Sequence, residues 1–259
     1  MASRTEQIKA FEQLLDIMDE IRAKCPWDKK QTLQSLRHLT IEETYELGDA
    51  ILRNDHQEIR KELGDLILHI VFYAKIASEG LHFDIADVLK GINEKLVSRH
   101  PHVFGDVVAE TEEEVAKNWE KLKLKEGKNS ILEGVPNSLP ALVKASRIQG
   151  KASSAGFDWD RSEQVFEKVE EEIQELHQEV KGQNLTKIES EFGDVLFSLI
   201  NYARFIDVDP ESALERTNQK FIKRFQYLET EAAKDGKQLT QMSLSEMDAY
   251  WDRAKILFG

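Results

Sequence analysis

The stretch EFGDVLFSLINYARF, Glu191–Phe205, opens on a glutamate and an aspartate three positions apart and then runs into apolar residues recurring every three and four positions. That recurrence is the period of one helical face. Nearly the same wording occurs earlier, in ELGDLILHIVFYAKI, Glu62–Ile76, so a helix headed by two carboxylates is present twice. Working outward, the three-and-four spacing continues through most of the chain while alternating β-branched runs are scarce. The pattern predicts an all-α protein.

Punctuation divides the pattern into helices. Thr40 with Glu43, Asp55 with Glu58, Thr111 with Glu114, Thr186 with Glu189 and Ser243 with Glu246 have the spacing of a helix-starting cap whose third side chain reaches back. Gly80, Gly127, Gly182 and Gly236 sit where helices would stop, and Pro210 after Asp209 suits a first turn. Helices are expected near 4–23, 41–53, 56–78, 85–98 and 112–126, then near 140–150, 163–181, 186–206, 210–234 and 244–257. Glycine, proline, serine and asparagine concentrate between Gly127 and Gly156, which reads as a junction. The expected domains are therefore 1–127 and 157–259, joined by a linker over 128–156 with a short helix in it.

Composition narrows the classes. With 35 basic and 48 acidic residues the net charge is −13, and no basic block appears, so a nucleic-acid partner is not expected. Cys25 is the only cysteine, which leaves no intrachain disulfide and suits a reducing compartment. The N-terminus turns amphipathic at once, and no apolar run reaches membrane-spanning length. The expectation is a soluble cytoplasmic chain with no membrane partner.

The repeat extends beyond one helix. A shift of 129 positions carries Glu42, Glu43, Glu46, Glu62, Gly64 and Asp65 onto Glu171, Glu172, Glu175, Glu191, Gly193 and Asp194. Farther along, NEKLVSR (Asn93–Arg99) resembles NQKFIKR (Asn218–Arg224), and WEKLK (Trp119–Lys123) resembles WDRAK (Trp251–Lys255). A duplication with small loop changes explains this order.

Residues three and four apart share a helical face, so Glu172 with Glu175 and Glu191 with Asp194 project as pairs from successive helices. A short connection at Gly182 makes those helices antiparallel neighbours. Four carboxylates then converge on one seam, where repulsion is unfavourable unless protons or cations compensate. Oxygen donors in that number suit Mg²⁺, with Mn²⁺ as a substitute. Gly193, and Gly64 in the first copy, would permit a close backbone approach. Lys220 with Arg224, and Lys95 with Arg99, are each one turn apart and could hold phosphate oxygens. Carboxylates holding a cation beside bases holding oxyanions describe a di- or triphosphate site. Trp251 and Trp119 could stack on a base or sugar, whereas Trp27 and Trp159 are expected to serve packing. No glycine-rich phosphate loop, nucleophile elbow or paired-cysteine zinc pattern competes with this reading.

The order CPWDKKQT, EETYE, ELGD, KLVSRHPHVF, then GFDW, EEIQE, EFGD and KFIKRF resembles the MazG family of nucleoside triphosphate pyrophosphohydrolases in its tandem two-copy form. The resemblance implies two tandem helical-bundle domains, a homodimer, Mg²⁺ dependence, and cleavage of nucleoside triphosphates to monophosphate and pyrophosphate. It places the second-copy metal ligands, also the catalytic set, at Glu172, Glu175, Glu191 and Asp194, with Lys168, Glu171, Lys220, Arg224 and Trp251 around the nucleotide. The matching first-copy residues are Glu43, Glu46, Glu62 and Asp65, with Lys95, Arg99 and Trp119. One departure separates the copies: Leu39 stands where the second has Lys168, which points to the second as the principal site. The alternative is a noncatalytic helical module that senses nucleotide or Mg²⁺ and passes the signal to a regulatory protein partner.

Overall fold

The computed structural model describes residues 2–109, 111, 114, 115, 118 and 130–259. Two compact units divide the chain, Met1–Val115 and Ala116–Gly259. Among the described residues every regular element is helical.

The first unit holds α1 (Arg4–Lys24), α2 (Leu33–Leu52), α3 (His56–Glu79), α4 (Ile85–Arg99) and the single turn α5 (Pro101–Phe104). Its caps are side chains of the expected types. Asp55 accepts from the backbone N–H groups of Gln57 and Glu58 to start α3, and Ser3 with Glu6 closes a reciprocal box on α1. One expected cap of this unit is corrected. Thr40 lies inside α2 with its hydroxyl 2.5 Å from that of Tyr73, and the helix starts after Thr32, which pairs reciprocally with Ser35. The spacing of a capping box also occurs within helices, and Leu36, buried before Thr40, extends the apolar face backward. Met18, Leu36, Val71 and Phe72 form the core, with Phe11, Leu39, Leu68 and Tyr73 packed against it. Each such burial is worth about 2 kcal/mol.

The second unit holds α6 (Ala141–Ser154), α7 (Ser162–Gly182), α8 (Leu185–Phe205), α9 (Pro210–Lys234) and α10 (Leu244–Leu257). The α7–α8 connection is a tight one, with Gln183 in the left-handed region at φ 57°. Asn184 caps α8 through Lys187 N–H, in place of the expected Thr186. Asp209 and Pro210 start α9, and Ser243 with Glu246 starts α10, as their spacing predicts. Leu228, Ala232 and Tyr250 bind α9 to α10, and the Tyr250 hydroxyl donates to Asp235 over 2.7 Å.

The junction expected over 128–156 contains the short helix expected there. Its helix runs to Ser154, four residues past expectation, and packs on α8, where Gln149 Nε2 donates to the Phe197 carbonyl over 2.8 Å. Lys151 Nζ reaches back to the carbonyls of Ile131 and Glu133 at 2.8 and 3.2 Å, tying the preceding loop to the same helix. Most of the helix expected over 112–126, together with Trp119 and Gly127, lies outside the described residues. The Thr111 cap is present, accepting from Glu114 N–H over 3.2 Å.

Candidate active site

The acidic residues sit where a buried stripe continues into carboxylates. On α7 the buried positions are Val165, Val169 and Glu172, spaced four and three apart, so Glu172 occupies the next place on the apolar face. On α8, Glu191 lies four residues before buried Val195. In the first unit Glu62 stands seven residues before buried His69 on α3. Packing α7 on α8, and α2 on α3, therefore draws carboxylates into the seam: Glu62 is 2% exposed and Glu172 8%.

Two triads result. Glu43, Glu46 and Glu62 each present an oxygen within 4.8 Å of the others, and so do Glu172, Glu175 and Glu191. Asp65 and Asp194 stand close enough to act on Glu43 and Glu191 by charge but fall outside these triads. Burial, and then the charges of Glu175, Asp194 and Glu172, push the Glu191 carboxyl above its ordinary value. Burial first, a hydrogen bond to Glu62 next, and the charges of Asp65 and Glu46 raise that of Glu43. Glu43 and Glu191 hold protons more tightly than free carboxylates because burial and neighbouring like charges both penalise the ionised form.

Each triad has one lysine at its edge, from a different place. In the second unit Lys168 lies 2.9 Å from both Glu171 and Glu172, and those contacts keep its ammonium charged. In the first unit, where Leu39 replaces that lysine, Lys61 approaches Glu62 at 2.9 Å and its hydrogen bond lowers the glutamate's pKa. The 129-residue shift puts Ser190 at the Lys61 position, so each copy carries the lysine that the other lacks. Glu62 Oε2 remains buried without a hydrogen-bond partner among the described residues. Oxygen-only triads with an orphaned carboxylate oxygen are compatible with a divalent metal ion.

The remaining expected residues are not gathered into the triads within the chain. Lys220 and Arg224 lie on α9, where Arg224 donates to the Phe258 carbonyl over 3.3 Å. Trp251 packs against Phe221, ring centroids 5.0 Å apart, beside Leu228, Ala232 and Tyr250. Lys95 and Arg99 are on α4, and Trp119 lies outside the described residues. A Cβ added at Gly64 or Gly193 would meet open space, so no close approach within the chain requires glycine there. Trp27 and Trp159, expected to pack, are 56% and 45% exposed.

A family profile described as the MazG nucleotide pyrophosphohydrolase domain matches residues 31–104 and 161–228, one segment around each triad. The chain belongs to the MazG family. It is 44% identical over 95% of its length to a protein of Thermotoga maritima named nucleoside triphosphate pyrophosphohydrolase/pyrophosphatase MazG, covering 95% of that protein. It is 42% identical over 95% of its length to the nucleoside triphosphate pyrophosphohydrolase of Escherichia coli K12, covering 97% of it. A crystal structure of a mazG-related protein from Thermotoga maritima aligns over 44% of this chain and 98% of that one, at 29% identity and a TM-score of 0.40.

Beside the second MazG triad the structure opens a cavity of about 660 Å³, within the range of small-molecule sites. Lys168, Glu172 and Asp194 line one part of it; Gln149, Phe157 and Trp159 line others. Arg204 closes a wall by pairing with both oxygens of Asp158 at 2.8 and 2.5 Å. Sequence reasoning missed this cavity and its Arg204–Asp158 lock, because the partners lie 46 residues apart with no shared period. Lys61 was missed for another reason: a lysine adjacent to a glutamate is ordinary surface until the glutamate is seen to be buried.

Proposed function

We propose that this MazG chain hydrolyses nucleoside triphosphates, ribo- or deoxyribo-, at the α–β linkage, releasing nucleoside monophosphate and pyrophosphate, with the second copy as the principal site. The observation that carries the reading is the Glu172, Glu175 and Glu191 triad at the edge of a nucleotide-sized cavity, into whose wall Glu172 extends beside Asp194 and Lys168. Glu172, Glu175, Glu191 and Asp194 would hold Mg²⁺, with Mn²⁺ able to substitute, and the first-copy set Glu43, Glu46, Glu62 and Asp65 would hold it likewise. A cation held there would supply charge neutralisation of the triphosphate and would favour ionisation of the attacking water. Lys168, now occupied by Glu171 and Glu172, turns one donor to a phosphate oxygen as the nucleotide enters. A carboxylate not fully occupied as a ligand, Glu171 or Glu172, takes the proton of the attacking water.

Lys220 and Arg224 stabilise the leaving pyrophosphate, and Trp251 borders the nucleotide, once a second copy of the chain is docked. Lys95 and Arg99 are their first-copy counterparts. A homodimer is supported by exposed apolar stripes at matched positions: Leu63, Ile67 and Ile70 on α3, and Phe192, Leu196 and Leu199 on α8, each 43–54% exposed. Positions spaced four and three apart form one continuous face, half of a helical bundle wanting its other half. Among the described residues no helix is long and apolar enough to cross a membrane.

The test is to incubate the protein with each nucleoside triphosphate and Mg²⁺ and to quantify monophosphate and pyrophosphate. Turnover that Glu175→Ala and Asp194→Ala each abolish, with cooperative melting retained, supports the assignment. Binding without turnover would replace the enzyme by a sensing module, and wild-type rates in both variants would remove the ligand assignment.

A further inference from the structure

The cavity differs from the matching region of the first unit in a way that points to a ligand. Under the 129-residue shift, Leu36, Leu39, Leu68 and Phe72 correspond to Val165, Lys168, Phe197 and Asn201. In the first unit those four belong to the hydrophobic core or pack against it. In the second unit all four line the cavity. The scaffold is shared, but the side chains that plug it in one copy leave it open in the other.

Gln149 is a buried polar group of that cavity wall, as Glu172 and Ser198 are. It is 6% exposed, and its Nε2 donates to the Phe197 carbonyl over 2.8 Å. A carbonyl only accepts, so this contact sets the amide's orientation and leaves Oε1 as the free end. Oε1 has no hydrogen-bond partner among the described residues. A buried acceptor without a donor is unfavourable and calls for a partner. Oε1 is covered, so meeting one takes a turn of the amide toward the cavity.

The position also suits the length of a nucleotide. Asp194, Phe197 and Asn201 follow one another along α8 and all line the cavity, so it extends about 10 Å along the helix from the carboxylate end. That is about the reach from a nucleoside's 5′-phosphate to the far edge of its base. Phe157, 85% exposed, and Trp159, 45% exposed, offer ring faces on the cavity wall.

We infer that Gln149 is the base-reading residue of this site: its Oε1 accepts a hydrogen bond from an N–H on the nucleobase edge, while the phosphates lie at the Lys168, Glu172 and Asp194 end. The inference rests on the nucleotide reading above and deepens it by assigning the base end of the cavity. Natural bases carry such an N–H, so Gln149 separates base-bearing nucleotides from those that lack the edge donor.

The experiment is equilibrium calorimetry in Mg²⁺ with non-hydrolysable α,β-methylene nucleoside triphosphates and the base-free ribose 5-triphosphate analogue carrying the same bridge. The wild type should bind at least one base-bearing analogue more than tenfold tighter than the base-free one. Gln149→Met should remove about ten- to hundredfold of that preference and leave base-free affinity within about twofold. Asn201→Phe, which gives the second unit the residue found at the matching first-unit position, should collapse the preference by filling the cavity, and it serves if Gln149→Met does not fold. Retention of the full preference in either folded variant, equal weakening of base-bearing and base-free ligands, or no wild-type preference overturns the inference. Because the readout is binding, a protein that prefers bases through Gln149 but turns over no nucleotide would sink the proposed reaction and leave this assignment standing.

Discussion

Replacing Glu43 by glutamine should stabilise the metal-free protein and destabilise the metal-loaded one. Glu43 is half-buried, and its carboxyl is held above the ordinary 4.5 by burial, by its hydrogen bond to Glu62, and by the charges of Asp65 and Glu46. Two unit charges 4.8 Å apart repel by about 1 kcal/mol in bulk water and about 3.5 kcal/mol at an effective dielectric near 20. Glutamine keeps a donor for Glu62 and deletes the charge, so at pH 8 in chelator the first unit should melt on the order of 5 °C higher. In Mg²⁺ at about 100 times its dissociation constant the wild type gains about 2.7 kcal/mol by linkage, and the variant, missing a ligand, loses most of that. A raised carboxylate stabilises the fold below its unfolded pKa of 4.5, and that contribution is lost as pH rises through the folded value. The chelator advantage of Glu43→Gln should therefore grow from pH 5 to pH 8. Scanning calorimetry in chelator and in Mg²⁺, at both pH values, is the assay. A variant shifted in the same direction with and without metal would refute the view that these acids are crowded for the sake of a cation.

Lys168→Leu, which copies the first unit's Leu39, should raise KM for nucleotide about tenfold or more while tightening Mg²⁺ binding to the nucleotide-free protein, since Glu172 loses its cation; steady-state kinetics and Mg²⁺ titration check both. Glu79→Gln should cost about 1 kcal/mol at neutral pH, because Arg22 binds the Glu79 carboxylate at 2.9 Å and the glutamate is part-exposed. The hydrogen bond from Arg22 holds that carboxyl below 4.5, so the stabilisation is present above 4.5 and disappears as pH falls through the folded value; a melting gap unchanged down to pH 3 would contradict it. Ala232→Leu, at a site with no exposure between α9 and α10, should overpack the seam by about 1–3 kcal/mol, and an unchanged melting temperature would show slack there.

How much was legible before folding follows from the range of each interaction. Helix type, the Asp55, Asp209 and Ser243 starts and the duplicated carboxylate pairs are local, readable from residues three or four apart. The Thr40 reading failed because a cap signature and an ordinary intrahelical pair share that spacing, and only the depth of Leu36 distinguishes them. Helix 141–154 outruns the expected 150 because glycine and serine at its end read as loop, while its contact with Phe197 lies 48 residues away.

The amino-acid order by itself determined an all-α chain, its twofold repetition, and which acids share a helical face, since a period of 3.6 residues is a property of one segment. Tertiary structure alone decided that Glu62 and Glu172 lose water, that Lys61 and Lys168 take different partners, and that the second unit keeps a cavity where the first is filled. Burial and empty volume belong to pairs of surfaces brought together by packing, and no single stretch of chain contains both surfaces.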